Sequence, residues 1–597
     1  MTKKRDGGDV IAEFLANEGI DHVFGICGHG NIGLLDSLYD RRDEIRLVSP
    51  RHEQTAAHMA DGFFRVSHRP AATLTSTGPG SCNLVMGLAV AQTDSSAMFS
   101  ITANVPTSQF NRGPFQEINL HHQADFNNVL KPVVKRSFQP TRVEMLPLAL
   151  RQAATTMTSG RPGPVNVDIP YNLFVEDAQD VSAEEPWNGY LSRRSGAGPE
   201  ALTQAVDMIL AAERPVLFIG HGVTLSEASA ELTALAKRLS IPVISSPNGM
   251  GCIDMADPLS LGFIGRNGAY PANQAGRHAD LVLAIGARFD DRSASSWMPG
   301  YSWNFPHQKL IHVDLDHNEI GRNYSPTLGI LADARAFLRQ VLAELDARGV
   351  DGAPRLAPWH GSIKGWRGEW AAFIAPGFET HSSPIRPERI VADCRKVLPD
   401  DVIISLDSGI HHNWFMQFWE ARRPQSMLNT WGYSGMGFGP SSILGAKLAA
   451  PDRPCVSICG DGGFTMVPHV LCTAVEYDIP VVWVVWNNFA WGAIRDLQYA
   501  YFNGREYGTA FTRGPNREQY NPDFAAWARA AGVEGYTVTR SEDFAGVLAA
   551  AVASNRPALI DVHVDADIRP PGTGSWELPG LEPKEPAFGK PWSPVQL

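Results

Sequence analysis

The stretch PCVSICGDGGFTMVPHVLCTAVEYDIPVVWVVWNN, Pro454 to Asn488, reads as strand, turn, helix, strand. The apolar, β-branched run Val456–Cys459 stops at Gly460-Asp461-Gly462-Gly463, and a second run, Ile479–Trp486, stops at Asn487-Asn488. Neighbouring parallel strands need a crossover connection, and this span is long enough for one. Asp461 and Asn488 are then expected together at the carboxyl ends of the strands, where open α/β sheets bind ligands. A carboxylate and an amide oxygen are hard ligands. They suit a magnesium ion that also holds phosphate oxygens, with glycine amides at the helix start cradling the phosphates. The bland alternative is an ordinary crossover with a Gly-rich turn, and the paired asparagines weigh against it.

Around this core, 597 residues exceed one hydrophobic core, so about three domains are expected. With 44% hydrophobic and 19% charged residues the composition is globular. A net charge of −12 with no basic patch argues against nucleic-acid binding. No stretch is apolar enough to span a bilayer, and the first residues do not read as a signal peptide. Seven scattered cysteines without a CxxC pair fit reduced thiols in a cytosol better than a disulfide frame or zinc site.

Three blocks follow one another. Residues 1–185 alternate helical patterns (Val10–Glu18, Gln54–Arg65, Cys82–Asp94) with strand-like runs (His22–Gly25, Ala72–Thr75, Met98–Thr102, Val165–Asp168). After a polar linker, residues 199–345 repeat the alternation, with strands expected at Val216–Ile219, Pro242–Ser245, Leu281–Ile285 and Lys309–Val313. The Pro-, Trp- and Gly-rich segment Arg348–Ser383 reads as a linker to a third block, 384–566, which carries the stretch quoted above. Residues 567–597 are a Pro- and Gly-rich tail, either disordered or laid over the protein as an arm. The pattern predicts three doubly wound α/β domains with mostly parallel sheets.

The Gly-Asp-Gly to Asn-Asn string resembles the diphosphate-binding motif of thiamine diphosphate (ThDP) enzymes. The three-block order resembles the pyrimidine-binding, central and diphosphate-binding order of the acetolactate synthase-type family, over roughly residues 8–566. The resemblance implies that Asp461, Asn488 and the carbonyl of Ala490 hold Mg²⁺, with Gly460, Gly462 and Gly463 beside the diphosphate. Alone, Glu53 in Arg51-His52-Glu53-Gln54 is a helix first-turn acid favoured by the macrodipole. In the family a glutamate in this string bonds the pyrimidine ring of ThDP. A carboxyl in an apolar pocket has a raised proton affinity and can shuttle the proton that generates the carbon nucleophile.

Other strings carry the likeness further. Thr75–Asn83, with Gly78, Pro79, Gly80 and Asn83, resembles a segment beside the pyrimidine ring, and Phe115-Gln116-Glu117 one whose Gln116 reaches the reaction centre. Gly409, Ile410 and His411 in DSGIHHNW fall at diphosphate-contacting places. TWGYSGMGFGPSSILGAKLA resembles the family's GGLGTMGYGLPAAIGAK. There Met436, after Gly435, would wedge between the cofactor's two rings, and the Ser434 carbonyl would accept from its amino group. In the second block Gly220-His221-Gly222, Arg288 in GARFDDR and Asp314 in His312-Val313-Asp314, with Arg161 in GRPGPVNVDIP of the first block, resemble positions beside FAD in the acetolactate synthase branch, and the resemblance implies a FAD site. The resemblance also implies a homodimer or homotetramer with active sites at the interface.

Departures from acetolactate synthase matter for the substrate. Cys27-Gly28-His29-Gly30 stands where the family has Pro-Gly-Gly-Ala, which puts an imidazole at the rim. His121-His122 has no counterpart, Leu497 replaces a bulky Trp, and the tail carries RPPGTGSWELPG. His29 and such a tail resemble cyclohexane-1,2-dione hydrolase. A loop histidine with a structural role is the plain alternative. The expected activity is a ThDP- and Mg²⁺-dependent carbon–carbon lyase or ligase acting on 2-oxo acids or vicinal diketones, with Glu53, His29 and Gln116 at the reaction centre. The rivals are a 1,2-dione hydrolase and a pyruvate oxidase-like flavin oxidoreductase.

Overall fold

The computed structural model describes residues 4–118, 126–182, 194–352 and 354–571. Three six-stranded sheets follow in chain order, each parallel throughout. The first is built from His22–Gly25, Arg46–Val48, Ala71–Thr75, Met98–Asn104, Ser137–Phe138 and Pro164–Pro170. The third is built from Ile403–Leu406, Met427–Asn429, Cys455–Gly460, Val482–Asn487, Glu534–Val538 and Ala558–His563. Numbered within each sheet, both have strand order 2-1-3-4-6-5. The central sheet, from Pro215–Ile219, Val243–Ser245, Ser260–Phe263, Leu281–Ile285, Lys309–Asp314 and Leu328–Leu331, has order 3-2-1-4-5-6. Strands such as Met98–Asn104 and Val482–Asn487 are buried at every residue, because helices cover both faces of each sheet.

The quoted stretch folds as expected. Cys455–Gly460 and Val482–Asn487 are adjacent parallel strands, with Gly460 opposite Trp486. The topological switch points, where doubly wound sheets bind ligands, lie between strands 1 and 3 of the third sheet and between strands 1 and 4 of the central one. Gly460-Asp461 follows the former pair, and Gly220 and Gly286 follow the latter.

Two expectations fail. Within Arg348–Ser383, read as a linker, Ala357–Phe378 is a 22-residue helix. Pro358 sits in its first turn, where its missing N–H costs nothing, and Pro376 falls in its last. Trp359, Ile363 and Trp370 share one face and are buried. That face outweighs three glycines whose surroundings are open space, at Gly361, Gly365 and Gly368. The helix expected over Cys82–Asp94 is instead two, Gly78–Asn83 and Val85–Thr93.

The first and third domains are joined by helix Glu53–Ser67 packed along helix Phe438–Ala449. Glycines set the distance. A Cβ at Gly62 would sit 2.0 Å from the Ser442 carbonyl oxygen, and one at Gly445 would sit 1.8 Å from that of Met59. Buried Arg65 closes the joint: it pairs with Asp61 at 2.7 Å and Asp94 at 3.1 Å and donates to the Asn429 carbonyl at 2.6 Å. Among the described residues no helix is long and apolar enough to cross a membrane.

Candidate active site

Helix Asp461–Met466 starts where strand Cys455–Gly460 ends, so Asp461 is carried to the switch point of the third sheet. Its side chain is 1% exposed. Oδ1 accepts the Gly462 N–H at 2.8 Å, and Oδ2 accepts the Phe489 N–H and the Asn521 amide, each at 2.8 Å. Burial pushes the carboxyl up to about 7 against these hydrogen bonds. A nearby cation offsets that cost. Strand alternation separates the two asparagines: Asn487 is buried and donates to Asp561 at 3.0 Å, whereas Asn488 faces a cleft of about 750 Å³.

Asp461, Asn488 and Ala490 line that cleft with Gly460, Gly462, Gly463, Gly409, Ile410, His411, Ser434 and Met436. Glycine is required beside Asp461. A Cβ on Gly462 would stand 2.2 Å from the Trp491 ring, and one on Gly463 would stand 2.3 Å from Asp407 Oδ2. Among the described residues no three His, Cys, Asp or Glu side chains cluster as a metal site. Asp461, Asn488 and Ala490 offer the cleft one carboxylate, one amide and one carbonyl, a set that would suit Mg²⁺ completed by phosphate oxygens. Buried His411 bonds the Asp407 carbonyl through Nε2 at 2.9 Å, and burial pulls it down to about 4, so the ring is neutral. Gly435, between Ser434 and Met436, does not line the cleft and packs against Met86 and Val90.

The residues expected beside the pyrimidine ring form a second group, within the first domain. Glu53 opens its helix with His52 as N-cap, whose Nδ1 accepts the Gln54 N–H at 3.1 Å. Asn83 donates to Glu53 Oε2 at 2.9 Å, and a Cβ on Gly80 would stand 3.1 Å from Oε1. The Thr77 hydroxyl donates to Gln116, whose carbonyl leaves no room for a Cβ at Gly78. Pro79, between those glycines, is exposed. His29 is exposed, its ring 5.7 Å from Phe115 and 6.0 Å from Tyr171. The apolar pocket expected around Glu53 is not closed by this chain alone: Glu53 is half-buried, and none of the residues lining the 750 Å³ cleft comes from the first domain. His121, His122 and Trp576 lie outside the described residues.

A second cleft, of about 400 Å³, occupies the switch point of the central sheet. Gly220, Gly222, Arg161, Arg288 and Asp314 all line it. A Cβ on Gly220 would stand 2.0 Å from the Gly286 carbonyl, so the two turns form a close-walled cradle. Arg161 lies 3.6 Å from Glu319, and Arg288 donates to the Thr93 carbonyl at 2.7 Å. Burial raises Asp314 to about 6.

Four residues gain a place that sequence reading did not give them. Asp407, fully buried, accepts the Gly437 and Gly439 N–H groups at 3.1 and 3.2 Å and so fixes the wedge string. Asn521 bonds Asp461. Trp431 lines both clefts and forms a wall between them. GARFDDR divides at that wall: Arg288 faces the central cleft, while Arg292 faces the larger one, its guanidinium 4.6 Å over the Trp431 ring. Burial, then the charge of Arg266, lowers Arg292 to about 9. The Asp407 string was in view. Trp431 and Arg292 also fall in strings the sequence singles out, TWGYSGMG and GARFDDR, but their contacts, like that of Asn521, are made across the fold.

Family models agree with this three-part layout. The thiamine pyrophosphate enzyme N-terminal TPP binding domain matches residues 5–124, the central domain 202–341 and the C-terminal TPP binding domain 407–562. The chain is thus a thiamine diphosphate-dependent enzyme. The probable acetolactate synthase large subunit of Methanocaldococcus jannaschii is 34% identical over 574 residues, 94% of this chain and 92% of that protein. The acetolactate synthase large subunit of Haemophilus influenzae is 31% identical over 571 residues, 94% of this chain and 95% of that protein. The isozyme 3 large subunit of Escherichia coli is 30% identical over 570 residues, with the same coverage. The chain belongs to the acetolactate synthase-type family of these enzymes, the carboligases.

Proposed function

We propose that the chain uses ThDP and Mg²⁺ to make or break a carbon–carbon bond next to a carbonyl, in a 2-oxo acid or a vicinal diketone. The observation that carries this reading is the buried Asp461 carboxylate, which shares one cleft with Asn488, Ala490 and the Gly462-Gly463 turn. Bound there, ThDP supplies a carbon nucleophile and an electron sink. Asp461, Asn488 and the Ala490 carbonyl would hold the Mg²⁺ that neutralises its diphosphate. Met436 would fix the bend of the cofactor, and Glu53 would move the proton at its pyrimidine ring. Arg292 would offer positive charge at the substrate end of the cleft.

The pyrimidine and diphosphate groups of residues lie apart within one chain. We infer a homodimer, or a dimer of dimers, in which Glu53, Gln116 and His29 of one chain complete the cleft of the next. The central cleft, lined by Gly220, Gly222, Arg161 and Arg288, supports FAD as a second cofactor, and the two arginines would pair with its phosphates. Cleavage of a 1,2-dione is favoured over plain acetolactate synthesis by His29 at the rim, by Leu497 in the cleft wall and by Arg569 and Pro570 of the tail, which also line the cleft. The test is prolonged chelation followed by add-back. Activity should return only with ThDP plus a divalent ion, and Asp461→Ala should retain neither. Mass spectrometry of products from 2-oxo acids and from 1,2-diones then names the reaction. Full activity of metal-free protein refutes the site.

A further inference from the structure

We propose that Asn521 is a positioning residue that holds Asp461 in place for the cation. This rests on the reading of the cleft as a magnesium–diphosphate site. The Asn521 amide nitrogen donates to Asp461 Oδ2 at 2.8 Å and to Asn487 Oδ1 at 2.7 Å. An amide NH₂ has two hydrogens, and both are used. Asn487 in turn donates to Asp561, at 3.0 Å. A continuous line of hydrogen bonds therefore runs Asp561, Asn487, Asn521, Asp461. Its inner end stands on two adjacent buried strands, Val482–Asn487 and Ala558–His563.

Asn521 itself is well anchored. Pro522 follows it, and Asp523 caps helix Phe524–Ala530 by accepting the Ala526 N–H at 2.8 Å. Buried Phe524 stands edge-on to Phe464, 5.9 Å away, and Phe464 belongs to the helix that Asp461 opens. The chain just before Asn521 braces the Phe489–Trp491 segment, which carries the Ala490 carbonyl. Trp491 N–H donates to the Thr509 carbonyl at 2.8 Å, and Phe511 N–H donates to that of Phe489 at 2.7 Å. Ala490 pairs with Ala510 as an antiparallel bridge. Residues 509–521 thus back Asp461 and the Phe489–Trp491 segment that carries the Ala490 carbonyl, and Asn521 supplies their side-chain hydrogen bond to the carboxylate. A ligand carboxylate held by such an outer partner is ordered before the metal arrives, and loss of partners of this kind costs roughly 10–100-fold in metal affinity.

The experiment uses the full-length chain loaded with ThDP and Mn²⁺ as the probe, with free Mn²⁺ read by electron paramagnetic resonance. Asn521→Ala should raise the Mn²⁺ dissociation constant about 10–100-fold, with the melting temperature of the cofactor-free protein unchanged. Asn521→Ser, which keeps one donor, should fall between that variant and the parent, and it serves if the alanine variant does not fold. Unchanged Mn²⁺ affinity in both variants overturns the proposal. So does a fall in cofactor-free melting temperature without a change in affinity, since Asn521 would then serve the fold alone. Asp461→Ala separates the two levels. If it binds Mn²⁺ like the parent, the magnesium reading fails and this proposal with it. If it loses Mn²⁺ while Asn521→Ala does not, only the role of Asn521 falls.

Discussion

Gln54 Nε2 donates to the main-chain carbonyl of Met436 at 3.1 Å, across the joint between the first and third domains. The residue after the candidate proton-transfer carboxylate therefore holds the backbone of the candidate wedge. Glu53 itself turns to Asn83 and Gly80, while the Met436 side chain turns into the cleft. Within one chain the two residues sit on adjoining elements but serve different faces. A pair of such chains related by a two-fold axis can bring each Glu53 to the other's cleft.

Mixing variants tests that arrangement. Glu53→Gln chains and Asp461→Ala chains should each be inactive alone. Glu53→Gln costs a general acid–base step worth roughly 10²–10⁴-fold. When the two are refolded or exchanged together, mixed dimers regain one intact site, made from the Glu53 of one chain and the Asp461 of the other. Random pairing gives about one working site in four. Turnover that stays at the level of the separate variants means that each site is built from a single chain.

The central cleft should make the purified protein yellow. Arg161 and Arg288 face it from two domains, and the Gly220–Gly286 contact leaves it a close-walled floor. Denaturation should release FAD, and Arg288→Ala should lower the flavin content measured by absorbance. Trp431 separates this cleft from the larger one, so substrate should leave the flavin oxidised through turnover. Stoichiometric bleaching on adding substrate points instead to an oxidase.

How far the sequence led depended on how local each signal was. The Asp461-to-Asn488 crossover was legible because strand, turn and partner strand are contiguous, and the turn carries its own chemistry. Glu53 and the Gly78–Asn83 turn were readable only through resemblance, since a first-turn acid is common. The helix Ala357–Phe378 was misread because Pro, Gly and Trp suggest a linker until the buried face of Trp359, Ile363 and Trp370 is known. Arg292 and Asn521 were missed for a different reason. One stacks on a tryptophan well over a hundred residues away in sequence, and the other bonds a carboxylate from beyond a hairpin.

Acidification should weaken the joint between the domains. His58 is fully buried on helix Glu53–Ser67, edge-on to Phe438 of the third domain, with Gln54, Asp61 and Arg65 around it. Burial first, and the Arg65 charge after it, lower its pKa to about 4 against the attraction of Asp61. A folded value below the unfolded one means the unfolded chain takes up protons that the fold refuses. The contribution is whole above pH 6.5 and is lost as pH falls from 6.5 toward about 4, up to about 3 kcal/mol. Asp168, Asp407 and Asp496, raised to about 6 by burial, push the other way. The test is therefore a difference: the denaturation midpoint of His58→Gln should drop less between pH 7 and pH 5 than that of the parent. Equal drops mean His58 is not the acid-sensitive group.

His29 decides between the two substrate readings. The turn that carries it is fixed: Gly28 N–H donates to Asn31 Oδ1 at 2.9 Å, the Asn31 amide donates to the Ile26 carbonyl at 2.9 Å, and Gly30 N–H donates to Ser76 at 3.2 Å. The imidazole is exposed between Phe115 and Tyr171. A side chain so placed serves the fold little, and His29→Ala should leave the melting temperature unchanged. An imidazole there can polarise or protonate a carbonyl oxygen as it gains charge, a role worth roughly 10²–10⁴-fold. It also fills space that a small second 2-oxo acid would need. Pyruvate self-condensation should therefore be slower than reaction of a 1,2-dicarbonyl, and His29→Ala should depress the latter while admitting other carbonyl partners. Efficient acetolactate formation from pyruvate, unchanged in His29→Ala, would leave the histidine a bystander and the enzyme a plain synthase.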